Sequence, residues 1–186
     1  MSNHSIWQGQ LVRLRAVEPE DWEQFFQWDQ DTEVERLTYY INVPRSREAT
    51  RQWTAESATA RPRNDEYRWV IENLQGEFVG TINTHTCDPR WGTFHYGLAI
   101  GRDHWRKGYA SEAIRLVLAY FFWELRYQKV NVTVYGFNEG SLKLHQKFGF
   151  QEEGRLRRMI YTEGVYYDSF ILGMTREEFE AAYKNG

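Results

Sequence analysis

The sequence predicts a mixed α/β fold, and three observations carry that prediction. Segments 11–15, 67–73, 78–85 and 130–134 alternate in polarity at every second residue, the period of a half-buried strand. Between Gly108 and Leu125 the period changes: Ala110, Ala113, Ile114, Val117, Leu118, Phe121 and Leu125 recur at helical spacing,. Finally, 186 residues with 41% hydrophobic and 26% charged content, 4 Pro and 14 Gly suit one domain with a sizeable core and exclude collagen-like or disordered chains.

Each element has a local cause. After the first strand, Glu18-Pro19-Glu20-Asp21 opens a helix, because proline fits the first turn and early acids suit the helix dipole,. Trp22, Phe25, Phe26 and Asp29 mark its spacing. Ser46 caps a second helix reaching about residue 60, with Ala49 and Trp53 on one face,. Strands 67–73 and 78–85 form a hairpin through Leu74-Gln75-Gly76, and Asp88-Pro89-Arg90-Trp91-Gly92 turns into strand 93–101,. The long helix and the strand of Val130, Val132 and Val134 follow. A short helix over 141–148 closes at Gly149, strands 156–161 and 165–174 make a final hairpin, and Thr175 with Glu178 forms a capping box for the last helix,.

Composition narrows the functional classes. A net charge of −3 argues against a protein that binds nucleic acid through bulk charge. The one cysteine, Cys87, rules out an internal disulfide, and with no histidine or basic residue in register it reads as an ordinary turn residue rather than a nucleophile,. No signal-like N-terminus and no run of ~18 apolar residues is present, so the expectation is a cytoplasmic protein without a membrane anchor. Aromatic residues are abundant at 17%.

The chemistry concentrates where strand 93–101 feeds the basic turn Trp105-Arg106-Lys107-Gly108 and then the longest helix. A helix N-terminus offers unpaired N–H groups and partial positive charge, Gly108 permits close approach, and Arg106 and Lys107 add charge, so a pyrophosphate fits there. A solvated connection is the plainer alternative. Neither a P-loop nor a dinucleotide-binding glycine fingerprint is present.

At this point the sequence resembles the GCN5-related N-acetyltransferases, most closely the subgroup that acetylates ribosomal-protein N-termini. Trp105-Arg106-Lys107-Gly108-Tyr109-Ala110-Ser111-Glu112-Ala113 is similar to that subgroup's W-G-K-G-Y-A-T-E-A run. Asn138-Glu139-Gly140-Ser141 followed by Lys147-Phe148-Gly149-Phe150 resembles its second signature, N-x-x-S with K-x-G-F. The resemblance spans about residues 10–180, leaving 1–9 as a tail. It implies a single domain with a mostly antiparallel sheet and a cleft for acetyl-CoA between the two central strands, 93–101 and 129–135. It further implies that Leu98 and Ile100 offer backbone groups to the pantetheine. Arg106, Lys107, Gly108, Tyr109, Ala110 and Ser111 would hold the pyrophosphate, and Asn138 and Ser141 would contact the pantetheine from the other side. Lys143 and Lys147 either reach the 3'-phosphate or are solvated.

Acetyl transfer needs a neutral amine and a proton for the leaving thiolate. A Lys-like amine of pKa ~10.4 is only about 0.04% neutral at pH 7, whereas an α-amino group is neutral to about 10%. His95 stands where related sequences often carry Glu, and imidazole titrates in the range of a base; a hydrogen-bonded strand residue is the alternative. His145 stands where many members carry a proton-donating Tyr, with a packed helix residue as its alternative. The histidines show no i, i+4 pairing, so no metal site is expected, although His85 and His95 approach each other across a hairpin.

In this family the acceptor sits between the first helices and the final hairpin. Here those segments carry Asp29, Asp31, Glu33 and Glu35, and Tyr161, Glu163, Tyr166, Tyr167 and Asp168. Acids and aromatic faces attract cations, so the expected acceptor is a cationic amine: a protein N-terminus, a polyamine or a small amine. Neither nucleic acid nor membrane is an expected partner, and a homodimer through exposed aromatics is compatible with the sequence. The competing reading is a non-catalytic acyl-CoA-binding or regulatory domain.

Overall fold

The computed structural model describes residues 5–38 and 40–183. Among the described residues there are seven strands: β1 (Val12–Arg15), β2 (Arg68–Asn73), β3 (Phe78–Asp88), β4 (Thr93–Ile100), β5 (Lys129–Tyr135), β6 (Gln151–Thr162) and β7 (Val165–Thr175). They form one sheet in the order β1-β2-β3-β4-β5-β7-β6. The β4/β5 pair is parallel, whereas β1/β2, β2/β3, β5/β7 and β6/β7 are antiparallel. The helices are α1 (Trp22–Trp28), α2 (Thr32–Thr38), α3 (Arg47–Thr59), α4 (Tyr109–Ala119), α5 (Glu139–Phe148) and α6 (Arg176–Tyr183).

The observed order follows the sequence expectation with four differences, one being that β3 runs on to Asp88, so that Cys87 lies buried in a strand rather than in a turn. Helix α2 was not expected, because it buries none of its residues and so carries no apolar period. Polar forces hold it: the Asp31 side chain accepts from the Val34 N–H at 3.2 Å, and Glu33 and Glu35 occupy its first turn,. The long helix leaves α geometry at Ala119 and continues as a π-turn over Tyr120–Glu124, where the Leu125 N–H reaches the Tyr120 carbonyl at 3.2 Å. That extra residue lets adjacent Phe121 and Phe122 both be buried,. Strand β6 begins five residues earlier than its alternation suggested. It lies at the sheet edge, is exposed along most of its length, and shifts register at Glu152/Gly154 and Leu156/Ile160.

The chain divides into two compact units. The first takes the chain to Asn83 together with Gly97–Leu116. Its core joins Val17, Phe25 and Val70 with Trp53 and Phe78. Phe25 meets Trp53 and Phe78 edge-on at 5.0 and 5.2 Å, the arrangement favoured by ring quadrupoles. Beside this core the buried carboxylate of Glu72 is held by Arg13 and Arg15, and Arg15 also grips Asp21 at 2.7 Å. Strand β1 is fastened at its start by Glu112, whose carboxylate accepts from the backbone N–H groups of Gln10, Leu11 and Val12 at 2.8, 2.6 and 2.7 Å.

The second unit comprises Thr84–Tyr96 and Val117–Gly186. Phe94 stacks on Phe121 at 4.1 Å and meets Tyr127 edge-on at 5.5 Å, while Phe122 packs on Phe179 of α6 at 5.5 Å. The expected capping box is formed: Thr175 N–H donates to Glu178 at 2.8 Å and Glu178 N–H donates to the Thr175 hydroxyl at 3.3 Å.

Glu112→Ala leaves three backbone donors at the β1 entry without their carboxylate. A loss of about 3 kcal/mol in guanidinium unfolding is expected, with Glu112→Gln intermediate. A change below about 0.5 kcal/mol would show that the anchor is dispensable.

Candidate functional site

Strand β4 pairs with β5 at only three positions, Thr93 with Lys129, Phe94 with Val130 and His95 with Asn131. It then runs on through half-buried Leu98 and Ile100. The chain leaves β4 in a single 3-10 turn, Arg102–His104. The Trp105 indole N–H folds back onto the Ile100 carbonyl at 2.7 Å, so that carbonyl already has a donor. The motif tryptophan thus shapes the turn rather than presenting a polar group.

Arg106 and Gly108 both adopt left-handed backbone, with φ of 61° and 84°. At Gly108 a Cβ would also approach Leu11 Cδ1 at 3.0 Å, so glycine answers two constraints at once. Helix α4 follows directly. Its earliest turn bond runs from the Glu112 N–H to the Gly108 carbonyl at 3.1 Å, so the N–H groups of Tyr109, Ala110 and Ser111 precede any helical acceptor. Arg106, Lys107 and Gly108 are exposed. The arrangement suits a multiply charged anion.

A second group of expected residues gathers around α5. The Asn138 side-chain oxygen accepts the Ser141 N–H at 3.0 Å as the helix N-cap, so its carbonyl serves the fold. His145 is 4% exposed, with Nδ1 at 2.8 Å from the Ser141 carbonyl and Nε2 at 2.8 Å from the Tyr96 hydroxyl. Phe150 lies edge-on to the imidazole at 5.0 Å. Burial pushes the His145 pKa down, against a smaller upward pull from the Ser141 bond. Burial pushes the Tyr96 phenol well above its ordinary value. Tyr96 was not among the expected site residues. Its signal is present in the sequence: it shares a strand face with Phe94, where a phenol needs a partner, and His145 sits one helical turn after Ser141.

His95 is half-buried, with its ring 5.6 Å from that of His85. Burial and then the neighbouring His85 lower its pKa, which leaves it neutral and able to accept a proton at pH 7. Among the described residues no group of three His, Cys, Asp or Glu side chains is placed to hold a metal ion. Nor is any described helix long and apolar enough to cross a membrane.

The acids expected to attract a cation are mostly paired already. Asp29 meets Arg45 at 2.6 Å, Asp31 and Glu33 share Arg102 at 2.7 and 2.9 Å, and Glu35 accepts from the Asn42 amide at 3.0 Å. The hydrogen bond from Arg102 is the main reason Asp31 is lowered to about 2. Asp168 is likewise taken by Arg155 at 2.6 Å and by the Arg158 N–H at 2.9 Å. At the hairpin tip, Tyr161 and Tyr166 lie 4.8 Å apart and Arg158 covers Tyr166 at 4.5 Å. Four of the expected acids, Asp29, Asp31, Glu33 and Asp168, thus already face an arginine.

Both depressed histidines make the same demand on stability. Their folded pKa values lie below the ordinary 6.5, so the stability they contribute is full above about pH 6.5 and is lost as pH falls through the folded values. Urea unfolding at pH 7.5, 6.5 and 5.5 should show stability declining below 6.5, with a shallower decline in His145→Gln. An equal slope in that variant would show that His145 does not contribute.

Comparison with known proteins places the chain in context. A family profile described as Acetyltransferase (GNAT) domain matches residues 12–151. The chain is 45% identical over 176 residues to the SPbeta prophage-derived uncharacterized N-acetyltransferase YokL of Bacillus subtilis, covering 95% of this chain and 96% of the relative. It is 25% identical over 173 residues to the spermidine N(1)-acetyltransferase of Escherichia coli K12, covering 93% and 90%. Among solved structures, spermidine N-acetyltransferase from Vibrio cholerae in complex with CoA and spermine superposes with a TM-score of 0.77 at 22% identity, covering 90% of this chain and 97% of that one.

Proposed function

The chain belongs to the GNAT acetyltransferase family, enzymes that use acetyl-CoA as co-substrate, and from that premise we propose that it acetylates the primary amine of a small cationic acceptor, a polyamine above all, by direct attack in a ternary complex. The observation that carries this reading is the path of β4. Its ladder with β5 stops after three pairs, and the strand continues into an exposed basic turn that opens α4. Backbone groups along Leu98 and Ile100 then receive the pantetheine as an added strand would be received. Arg106, Lys107 and the N–H groups of residues 108–111 take the pyrophosphate.

A cationic acceptor arrives protonated, so the reaction needs a base. His95 fills that role in this reading. It stands on β4, is held neutral by burial and by His85, and takes the ammonium proton so that the nitrogen lone pair attacks the thioester carbon; as the C–S bond breaks, the nitrogen loses its second proton and the departing CoA sulfur takes one up. The E. coli relative named for spermidine supports a polyamine as acceptor. Because Asp29, Asp31, Glu33 and Asp168 are already paired with arginines, bulk negative charge does not support it.

Thiol release from acetyl-CoA, followed across spermidine, spermine, putrescine, neutral amines and a short peptide with a free N-terminus, tests the acceptor. Polyamines are expected to exceed neutral amines by roughly tenfold, and a neutral amine or the peptide as best acceptor would sink the assignment. Gly108→Asp sets a carboxylate against the pyrophosphate and is expected to weaken CoA binding roughly tenfold, about 1.4 kcal/mol by calorimetry. Full affinity in a folded Gly108→Asp protein would refute the placement of the turn.

A further inference from the structure

The two edges of the sheet are finished differently. Strand β1 is four residues long, and the chain before it folds along its outer side: the Leu14 N–H donates to the Trp7 carbonyl at 2.7 Å and the Gly9 N–H to the Val12 carbonyl at 2.8 Å. Strand β6 closes the other edge. It runs from Gln151 to Thr162, is exposed along most of that length, and among the described residues no strand lies beyond it. Such an edge offers its outward N–H and C=O groups to a further strand. Five large apolar side chains that are exposed to solvent, Leu156, Met159, Tyr161, Val165 and Tyr166, lie on this same β6/β7 hairpin, a grouping that isolated surface residues do not make.

Bulges and charges commonly protect an edge from pairing, and β6 has both: its register with β7 shifts at Glu152/Gly154 and at Leu156/Ile160, and it carries Glu152, Glu153, Arg155, Arg157 and Arg158. The order of those charges decides what they do. A row of one sign would repel a second copy. Here the acids stand at the start of the strand and the arginines follow, so two copies laid antiparallel about Gly154 and Arg155 bring the acids of each toward Arg157 and Arg158 of the other. The edge is therefore complementary to itself, as a two-fold contact requires. Arg155, nearest the axis, is compensated by Asp168 at 2.6 Å, which relieves the like-charge contact there. Glu153 is shared with Lys129 at 2.6 Å, which leaves Glu152 as the principal acid of the edge. We propose that β6 is a self-association edge, along which a second copy of this chain lays its own β6 antiparallel to form a two-fold dimer.

Sedimentation velocity of the full chain over a concentration series, with backbone hydrogen exchange on the same samples, tests the proposal. The wild type is expected to sediment as a dimer that dissociates on dilution, with exchange in the Gln151–Thr162 strand slowing as the dimer is populated. Glu152→Arg and Arg157→Glu leave the Glu153–Lys129 and Arg155–Asp168 pairs in place, and each should weaken association roughly tenfold by setting like charges face to face. Mixed in equal amounts, the two variants should form a heterodimer of near wild-type strength, because each carries the sign that the other lacks. That recovery also separates a lost interface from a lost fold. A monomer at every concentration, a dimer that neither substitution weakens, unchanged exchange along β6 in the dimer, or a mixture that associates no better than its parts each overturns the proposal.

Discussion

The first unit depends on one carboxylate. Glu112 sits in the opening turn of α4, where an acid ordinarily serves the helix dipole and would repel an incoming anion. Its oxygens are instead drawn away by three backbone N–H groups of the entering chain. The N–H groups of Tyr109, Ala110 and Ser111 precede the first helical acceptor, and the carboxylate nearest to them is already compensated. The same contact fixes its surroundings. A side chain at Gly9 would run into the Glu112 carboxyl group, and one at Gly108 would press on Leu11. The motif's Glu112 is therefore a structural residue on which the geometry of the basic turn rests.

What was legible in the sequence follows from what each signal depends on. Elements whose cause is local were readable: the Ser46 cap, the Thr175–Glu178 box and the apolar stripe of α4 all appear where their residues predicted. The basic turn and the Asn138–Ser141 segment were readable through their resemblance to a known family. Helix α2, the π-turn at Tyr120 and the early start of β6 were not. The first has no apolar face, the second answers the packing of Phe121 and Phe122 against the sheet and α6, and the third lies at an exposed edge where alternation has no core to report. Tyr96 was missed because its meaning lies in a partner 49 positions away.

Charge shows the largest gap between sequence and structure. Read along the chain, Asp29, Asp31, Glu33 and Asp168 look like a lure for an ammonium group. In the folded chain each faces an arginine, and even the Tyr166 face carries Arg158. Exposed pairs of this kind add little stability, but they remove the long-range attraction that a bare cluster would exert. If the proposed acceptor is cationic, its recognition then requires either short-range hydrogen bonding or exchange of an arginine for the substrate's own charge. The second route resembles a competition, in which the acceptor displaces Arg102 or Arg155 from its carboxylate.

The two histidines complete this logic at the level of protons. A carboxylate base and a phenolic acid would differ in charge, and each would report its role by its state at pH 7. Here burial depresses both imidazoles, so both are neutral and differ only in what holds them. His95 lies at the last β4/β5 pair beside His85, half-exposed and able to pass a proton on to solvent. His145 is sealed and bonded at both nitrogens. In the proposed reaction, an acceptor that can exchange its proton suits the ammonium side. The other ring cannot exchange its proton without breaking a buried bond, so solvent access, rather than intrinsic acidity, separates two identical side chains.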